Sequence, residues 1–516
     1  MAIATRKIRT KVSARMDRLP WSRWHWRIVW ALGAVWILDG LEVTMKGAVG
    51  ARLTNPHALG LTAAQVGTVA SLYVAGAVSG ALFWGYLTDR FGRGKLFMYT
   101  LALYMVAVLL TGLSWGFYSF MSFRFMTGFA IGGEYAAINS AIDELIPARA
   151  RGWTDLAIDG SYWIGTIIPA SLSLIYLDRS IIPLGRGWRT GFFTGLILAF
   201  GLLLLRRRVP ESPRWLLTHG KREEAERITS QIEQDVEAAT GVSNLQELSD
   251  NEAIELRERE TTGFVEIART LFKVYPRRTI VGLSLMGTQA FLYNAIFFTY
   301  GLVLTTFFHV SDSVVGIYLI PFAIGNFLAR SCWGDTSDSV GRRQMISLSY
   351  IAPGVLLIGI GYLFSQAMLS TLWMTVGWVA VFFFASAGAS AGYLTVSETF
   401  PLEIRALAIA FFYAVATGLG GIVGPWLFGT LIGTGNRFEV YFGYLIGPGL
   451  MILGGIVEII WGVAAERRSL ESIAMPLSAA EVEGGPGPHG AGVEGPFDLD
   501  PTDPRGHLPA PGPAPA

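Results

Sequence analysis

GYLTDRFGRGK, residues 85–95, is a short charged hinge between two long apolar runs. LTAAQVGTVASLYVAGAVSGALFWGY leads into it and LFMYTLALYMVAVLLTGLSWGF follows it. Each run can cross a bilayer as a helix, since about 20 apolar residues rising about 1.5 Å each cover the ~30 Å hydrocarbon core. So short a hinge makes the two helices antiparallel neighbours and holds Arg90, Arg93 and Lys95 on one side. Gly85 and Gly92 let the backbone turn, and Asp89 is placed to cap or pair near a helix end.

A second copy, GDTSDSVGRRQ, occupies residues 334–344. Gly85, Asp89, Gly92 and Arg93 match Gly334, Asp338, Gly341 and Arg342 at a spacing of about 250 residues. Glu144, Pro147 and Arg151 match Glu398, Pro401 and Arg405 at nearly the same spacing. The chain therefore reads as a duplicated membrane bundle, and parallel repeats of this kind describe the major facilitator superfamily. The hinge resembles that superfamily's signature loop between its second and third helices.

Composition agrees with a membrane bundle. Of the 516 residues 52% are hydrophobic and only 15% charged, with a mean hydropathy of +0.45. That is too little polar surface to cover a soluble core. A formal net charge of +1 offers nothing to nucleic acid. The one cysteine, Cys332, excludes an internal disulfide framework. No histidine falls mid-span, so proton chemistry inside the membrane must use carboxylates. No metal-ligand cluster, nucleotide loop or nucleophile–base pattern is visible, so neither an enzyme nor a cofactor is expected.

Apolar runs at about 26–51, 62–86, 95–115, 117–142, 153–177 and 188–205 form a first set. A second covers about 279–304, 311–333, 344–365, 370–397, 405–430 and 440–464. The expected fold is an all-α membrane protein with twelve transmembrane helices in two six-helix repeats. Arg90, Arg93, Lys95, Arg149, Arg151, Arg342, Arg343 and Arg405 fall on one side. The opposite loops are nearly bare of basic residues, Arg52, Arg179 and Arg186 being the main exceptions. By the positive-inside rule both termini face the cytoplasm, with the bundle in the plasma membrane. The expected units are a cytoplasmic N-terminal segment (1–23), a first bundle (24–206), a cytoplasmic linker with short helices (207–277), a second bundle (278–466) and a cytoplasmic tail (467–516). The tail is Pro/Gly/Ala-rich and expected to be disordered from about 476. FVEIARTLFKVY, residues 264–275, reads as an amphipathic helix of the linker.

Ionisable residues inside the spans carry the functional signal. Asp39 and Glu42 share a face of the first span, with Lys46 a turn further out; the fourth span holds Arg124 and Glu134, and the fifth Asp159. A charge at the bilayer centre costs about 2.5–3.5 kcal/mol even on the lenient insertion scale. Asp39 is about 20 Å from one end of its helix and Arg124 about 10 Å from the other end of its own, which places them at similar depth in a ~30 Å core. Arg124 is expected to pair with Asp39 or Glu42. A purely structural ion pair, or residues facing a wet cavity, is the alternative.

Further segments resemble named families. VPESPRWLLTHGKREEA (209–225) resembles the sugar porter signature after the sixth helix, YLTVSETFPLEIRA (393–406) that family's tenth-helix exit, and RRSLES near Arg468 its C-terminal close. Asp39 to Glu42, DGLE, resembles the first-helix DGxD of aromatic acid:proton symporters, and Gly132 to Glu134 the GGE of metabolite:proton symporters. The resemblance implies that Glu42 and Arg124 form a proton switch, with Asp39 beside them and Glu134 as a second coupling or substrate-facing acid. Asp159 stands where sugar porters carry a sugar-binding glutamine, and their seventh-helix pattern survives only as Gln289 and Asn294. Asp159, Trp163, Gln289, Tyr293, Asn294 and Tyr393 are the substrate-binding candidates. Asp89, Arg93, Glu144, Arg151, Glu211, Asp338, Arg342, Glu398, Arg405 and Glu466 are the candidates for a cytoplasmic ion-pair gate. Topology-fixing charge is an equally compatible role for them.

The expectation is a secondary active transporter, working as a monomer by alternating access. It would take up a small polar metabolite, such as an organic acid or a sugar or polyol, by proton-coupled symport. An uncoupled facilitator or exchanger, and a membrane sensor that moves nothing, are the alternatives.

Overall fold

The computed structural model describes residues 7–91, 93–206, 210–218, 220–241, 254–257, 269–340, 342–400, 408 and 411–463. Its first half holds α2 (Arg23–Leu53), α3 (Ala63–Phe91), α4 (Arg93–Gly112), α5 (Phe117–Leu145), α6 (Ala148–Tyr176) and α7 (Leu184–Arg206). The second holds α10 (Pro276–Phe308), α11 (Val315–Val340), α12 (Arg342–Ser365), α13 (Thr371–Thr399), α14 (Gly418–Gly433) and α15 (Arg437–Trp461). A π-helical turn, Tyr413–Thr417, leads into α14. These match the twelve expected spans, and among the described residues eight are long and apolar enough to cross a membrane by themselves. Exposed aromatics ring both ends: Trp26, Tyr86 and Trp461 at one, Trp115, Tyr118 and Trp373 at the other. That distribution suits the two interfaces of a bilayer.

Caps set the helix ends. Ser22 accepts from the Trp24 N–H while His25 Nδ1 accepts from the Ser22 N–H, closing a capping box at the start of α2. Ser370 and Asn436 begin α13 and α15 in the same way, each accepting one backbone N–H. The duplication is also visible in side-chain contacts. Arg189 at the head of α7 donates to Gly112 O, 2.6 Å away at the end of α4. Arg437, its counterpart on α15, donates to Phe364 O at the end of α12 and to Phe307 O at 2.5 Å.

Close approach of backbones holds the first half together. A Cβ at Gly76 or Gly80 of α3 would lie 2.2 or 2.0 Å from the carbonyl oxygen of Phe125 or Phe129. At Gly128 or Gly132 of α5 it would lie 2.0 or 1.9 Å from that of Tyr73 or Ala77. Two reciprocal small-xxx-small stripes thus let the helices touch, as lipid-embedded helices need when no hydrophobic effect drives them together. Gly40 of α2 and Gly165 of α6 make a second such contact, against Tyr162 O and Ile37 O.

The N terminus and the linker share one face of the bundle. There α8 (Pro213–Thr218) and α9 (Arg222–Thr240) lie beside α1 (Val12–Asp17). Ala225, Thr229, Ile232 and Val236 form the buried stripe of α9. Outside the bundle the structure adds a feature absent from the sequence reading, a two-stranded antiparallel ribbon of β1 (Lys7–Thr10) and β2 (Ile254–Arg257). Its register sets Ile8 opposite Leu256 and Arg9 opposite Glu255. The stretch read as an amphipathic helix, 264–275, lies partly outside the described residues and closes in a π-helical turn at Thr270–Val274. The expected disordered tail lies outside them too.

Arg15 and Arg18 of the N-terminal segment clamp α9. Arg15 reaches Glu226, Ser230 and Glu233, and Arg18 lies 2.6 Å from Glu233. Burial pushes the Glu233 carboxyl up, but the bonds from Arg15 and Arg18 outweigh it and hold the group below its ordinary 4.5. A depressed carboxyl contributes stability above its unfolded pKa and loses it as pH falls through the folded one. The clamp is therefore expected to be complete at neutral pH and to open only below the ordinary carboxylate range, read as faster hydrogen exchange in residues 12–19 and 222–240 as pH falls below about 4.5. Gly132→Val is expected to force α3 and α5 apart and cost about 1–3 kcal/mol, seen as a lowered melting temperature. Gly201→Ala, where a Cβ meets nothing within 4 Å, should leave it unchanged.

Candidate functional site

Five helices of the first half surround one buried ion pair. Glu42 leaves α2 and Arg124 leaves α5, both with almost no solvent exposure. The Arg124 Nη1 donates to Glu42 Oε1, and the Tyr104 hydroxyl of α4 donates to Glu42 Oε2 at 3.0 Å. The Arg124 guanidinium lies 4.9 Å from the centre of the Tyr73 ring of α3 and 5.3 Å from that of Phe192 of α7. Each aromatic face offers the cation an attraction that water would otherwise supply. Arg124 Nε and Nη2 are buried and find no hydrogen-bond acceptor among the described residues.

Local sequence explains the chamber. Leu38, Leu41 and Met45 bury the apolar face of α2 around the acids. Gly195 of α7 leaves room beside the pair, since a Cβ there would lie 3.4 Å from the Tyr104 hydroxyl and 3.9 Å from Glu42 Oε2. Asp39, one turn before Glu42, is buried as well. Tyr73 lies within electrostatic range of Asp39, Glu42 and Arg124, and of Tyr413 from the second half.

Two of the other candidates border the seam between the halves, Asp159 through its neighbour Gly160 and Asn294 through Gly421. Asp159 is half-buried on α6, and the neighbouring Gly160 faces the Phe327 ring of α11 at 3.8 Å. Trp163, one turn on, is buried edge-on to Tyr162. Its indole N–H has no acceptor among the described residues. On α10 Gln289 is half-buried. Tyr293 donates to Asn326 Oδ1 at 2.8 Å and lays its ring 4.6 Å from Phe382. Asn294 donates to Ala290 O, and both its side chain and Val74 of α3 border Gly421 of α14. The Tyr73 and Phe298 rings meet edge to face across the same seam. Arg124 and Glu42 are thus in direct contact, while Tyr293 and Asn294 occupy a separate, polar part of the second half.

Among the gate candidates, Glu211 accepts the Gly94 N–H at 2.9 Å and so caps the start of α4, beside the signature hinge. The side chains of Asp89, Arg93, Glu134, Glu144, Arg151, Asp338, Arg342, Tyr393 and Glu398, and that of Lys46, lie outside the described set. So do Arg405 and Glu466 entirely.

Sequence reasoning missed three participants. Tyr104 is a hydroxyl amid the apolar LALYMVAV, and Asn326 an amide amid FAIGNFL; isolated polar side chains in apolar spans were the available signal. The third is Arg52, seen only as an exception to the charge rule, which is fully buried and lies 2.5 Å from Asp312 of the second half.

Removing one member of a buried pair strands the other, at about 3–5 kcal/mol, whereas removing both strands neither. Arg124→Met is therefore expected to lower the melting temperature more than the double variant Glu42→Gln/Arg124→Met, despite the extra substitution.

Known proteins supply the family. A family profile described as sugar (and other) transporter matches residues 39–475. The niacin transporter of Acinetobacter baylyi is 24% identical over 90% of this chain and 99% of its own length. The 4-hydroxybenzoate transporter of Pseudomonas aeruginosa is 24% identical over 87% of this chain and 95% of its own. Among solved structures the proton:xylose symporter XylE superposes with a TM-score of 0.66 at 18% identity, covering 87% of this chain and 98% of the symporter. That last likeness fixes the twelve-helix fold. With the family matched over most of its length, the chain is a member of the sugar (and other) transporter family, a membrane transporter and not an enzyme.

Proposed function

We propose that this transporter takes up a small organic acid together with a proton. The observation that carries the reading is the Glu42–Arg124 pair, sealed from water and bonded further by Tyr104. In its low-dielectric chamber the pair is strong only while Glu42 is ionised. A proton on the carboxylate turns a charge-assisted bond into a neutral one and leaves the Arg124 cation short of a counter-charge. That cation then favours whichever conformation brings it another anion or water. Alternating access follows if the protonated and deprotonated chambers prefer different arrangements of the two halves.

Two of the relatives support an aromatic acid as the substrate. Niacin and 4-hydroxybenzoate are both aromatic carboxylic acids, and those transporters cover nearly their whole lengths with this chain. Arg124 has two donors to offer a carboxylate. Asp159, Trp163, Gln289, Tyr293, Asn294 and Tyr393 would line the path of the ring. Aromatic and polar side chains at the seam suit such a substrate better than a fully hydroxylated one, which needs more hydrogen-bonding partners. The face carrying the linker is the cytoplasmic one on this reading, with Asp89, Arg93, Glu211 and their partners forming a gate there. Exposed pairs of about 0–1 kcal/mol each suit a latch that opens every cycle. A monomer suffices for the scheme, and the cell's potential adds about 2.3 kcal/mol per charge per 100 mV.

Proteoliposomes loaded at neutral pH and placed in acid should accumulate benzoate-type acids, with a fall in external proton concentration, and should take up sugars and polyols poorly. Uptake indifferent to pH would assign facilitation; no uptake of any solute would leave a sensor. Glu42→Gln is expected to abolish acid-stimulated accumulation, by tenfold or more ~1.4 kcal/mol in driving force, while keeping substrate exchange. Undiminished accumulation in that variant would remove Glu42 from the mechanism.

A further inference from the structure

Arg52 stands outside everything the coupling scheme uses. It is the penultimate residue of α2, in the helix's last turn, at the end of the bundle away from the linker, and its side chain is wholly enclosed. Its Nε lies 2.5 Å and its Nη2 3.2 Å from the two Asp312 carboxylate oxygens. The Nη2 also donates at 2.5 Å to Leu177 O, past the end of α6. Asp312 belongs to the turn before α11, so the contact joins the first half of the molecule to the second. Arg179, mostly exposed, adds a weaker approach to Asp312 at 3.8 Å.

Among the described residues, this end also brings the two halves into close backbone contact. A Cβ at Gly67 of α3 would lie 2.4 Å from Pro425 O of α14, and one at Gly301 of α10 would lie 2.5 Å from Gly47 O of α2. A Cβ at Gly316 of α11 would meet Ser173 Oγ and Ala170 O of α6. The Ser71 hydroxyl adds a bond to Ile422 O at 2.6 Å. Three helix pairs are thus shut at one end, with an ion pair set over them whose arginine is enclosed and whose carboxylate is partly exposed.

We infer that Arg52 and Asp312 are the outer gate of this transporter, a buried electrostatic latch that must break for the pathway to open away from the linker. Breaking it separates a buried cation from its carboxylate, and admission of water to Arg52 is what makes that possible. Closing it returns Arg52 to a dry pocket that already holds Leu177 O as a second acceptor. The two charges therefore act as an all-or-none seal rather than a loose surface pair. This inference rests on the alternating-access reading, but not on proton coupling or on the identity of the substrate.

The test reads accessibility without substrate. With Cys332→Ala as background, Val74→Cys places a reporter on the seam, next to Gly421 and beneath the closed end. A membrane-impermeant maleimide is applied to vesicles of each orientation, sorted by their exposed face. Asp312→Asn should speed labelling from the outer face about tenfold and slow it from the linker face, as a shift between two states requires. Arg179→Gln should stay within about twofold of the parent, as an exposed partner would. Asp312→Asn protein that is monodisperse yet labels at the parent rate from the outer face would overturn the inference. So would faster labelling from both faces, which marks general loosening.

Discussion

An arginine held against a carboxylate in a chamber that excludes water constrains the whole first half of this protein. Arg124 cannot leave Glu42 without another counter-charge or a supply of water, because an unpaired ion there costs several kcal/mol. Tyr104 fixes the second carboxylate oxygen, and the faces of Tyr73 and Phe192 close over the guanidinium. The helices bearing these groups are drawn together by glycines whose missing side chains let backbone meet backbone. Packing and charge therefore depend on one another: α3 and α5 must touch for Tyr73 and Arg124 to stack.

The two halves share an architecture but not an interior. The helix-end bonds of Arg189 recur at Arg437, so the duplication survives in detail where it holds helices in place. Inside the second half the corresponding volume is aromatic: Tyr300, Phe322, Trp378 and Tyr444 form a nest of ring contacts. Among the described residues, the Glu42–Arg124 pair of the first repeat thus stands opposite an aromatic nest in the second. Under the proposed function such a division would let a proton act on one half while a ring-bearing solute binds between them, each biasing the same movement of the halves.

Much of this was legible in the chain. The paired hinges near Asp89 and Asp338 announced twelve helices, and spans read from hydropathy alone match the observed ones to within a few residues at most ends. Depth counting brought Arg124 level with both Asp39 and Glu42 but left the choice open, because residues three apart differ by only about 60° around a helix. The contact of Gly40 with Tyr162 O, a tertiary fact, sets the rotation that gives Glu42 to Arg124. The β1–β2 ribbon was invisible because four-residue strands whose paired residues lie 244 to 250 positions apart carry no periodicity long enough to read. Arg52 was noticed, yet its meaning needed Asp312, and no local pattern links two residues in different repeats.

The central claim is that Glu42 gains and loses a proton as the chamber opens and closes. Infrared difference spectroscopy of the protein in lipid, stepped from neutral to acid pH, observes that carboxyl directly. A protonated-carboxyl band present in the parent and missing in Glu42→Gln, growing over the same pH range in which uptake accelerates, is the predicted result. A Glu42 that stays ionised across that whole range would contradict the account.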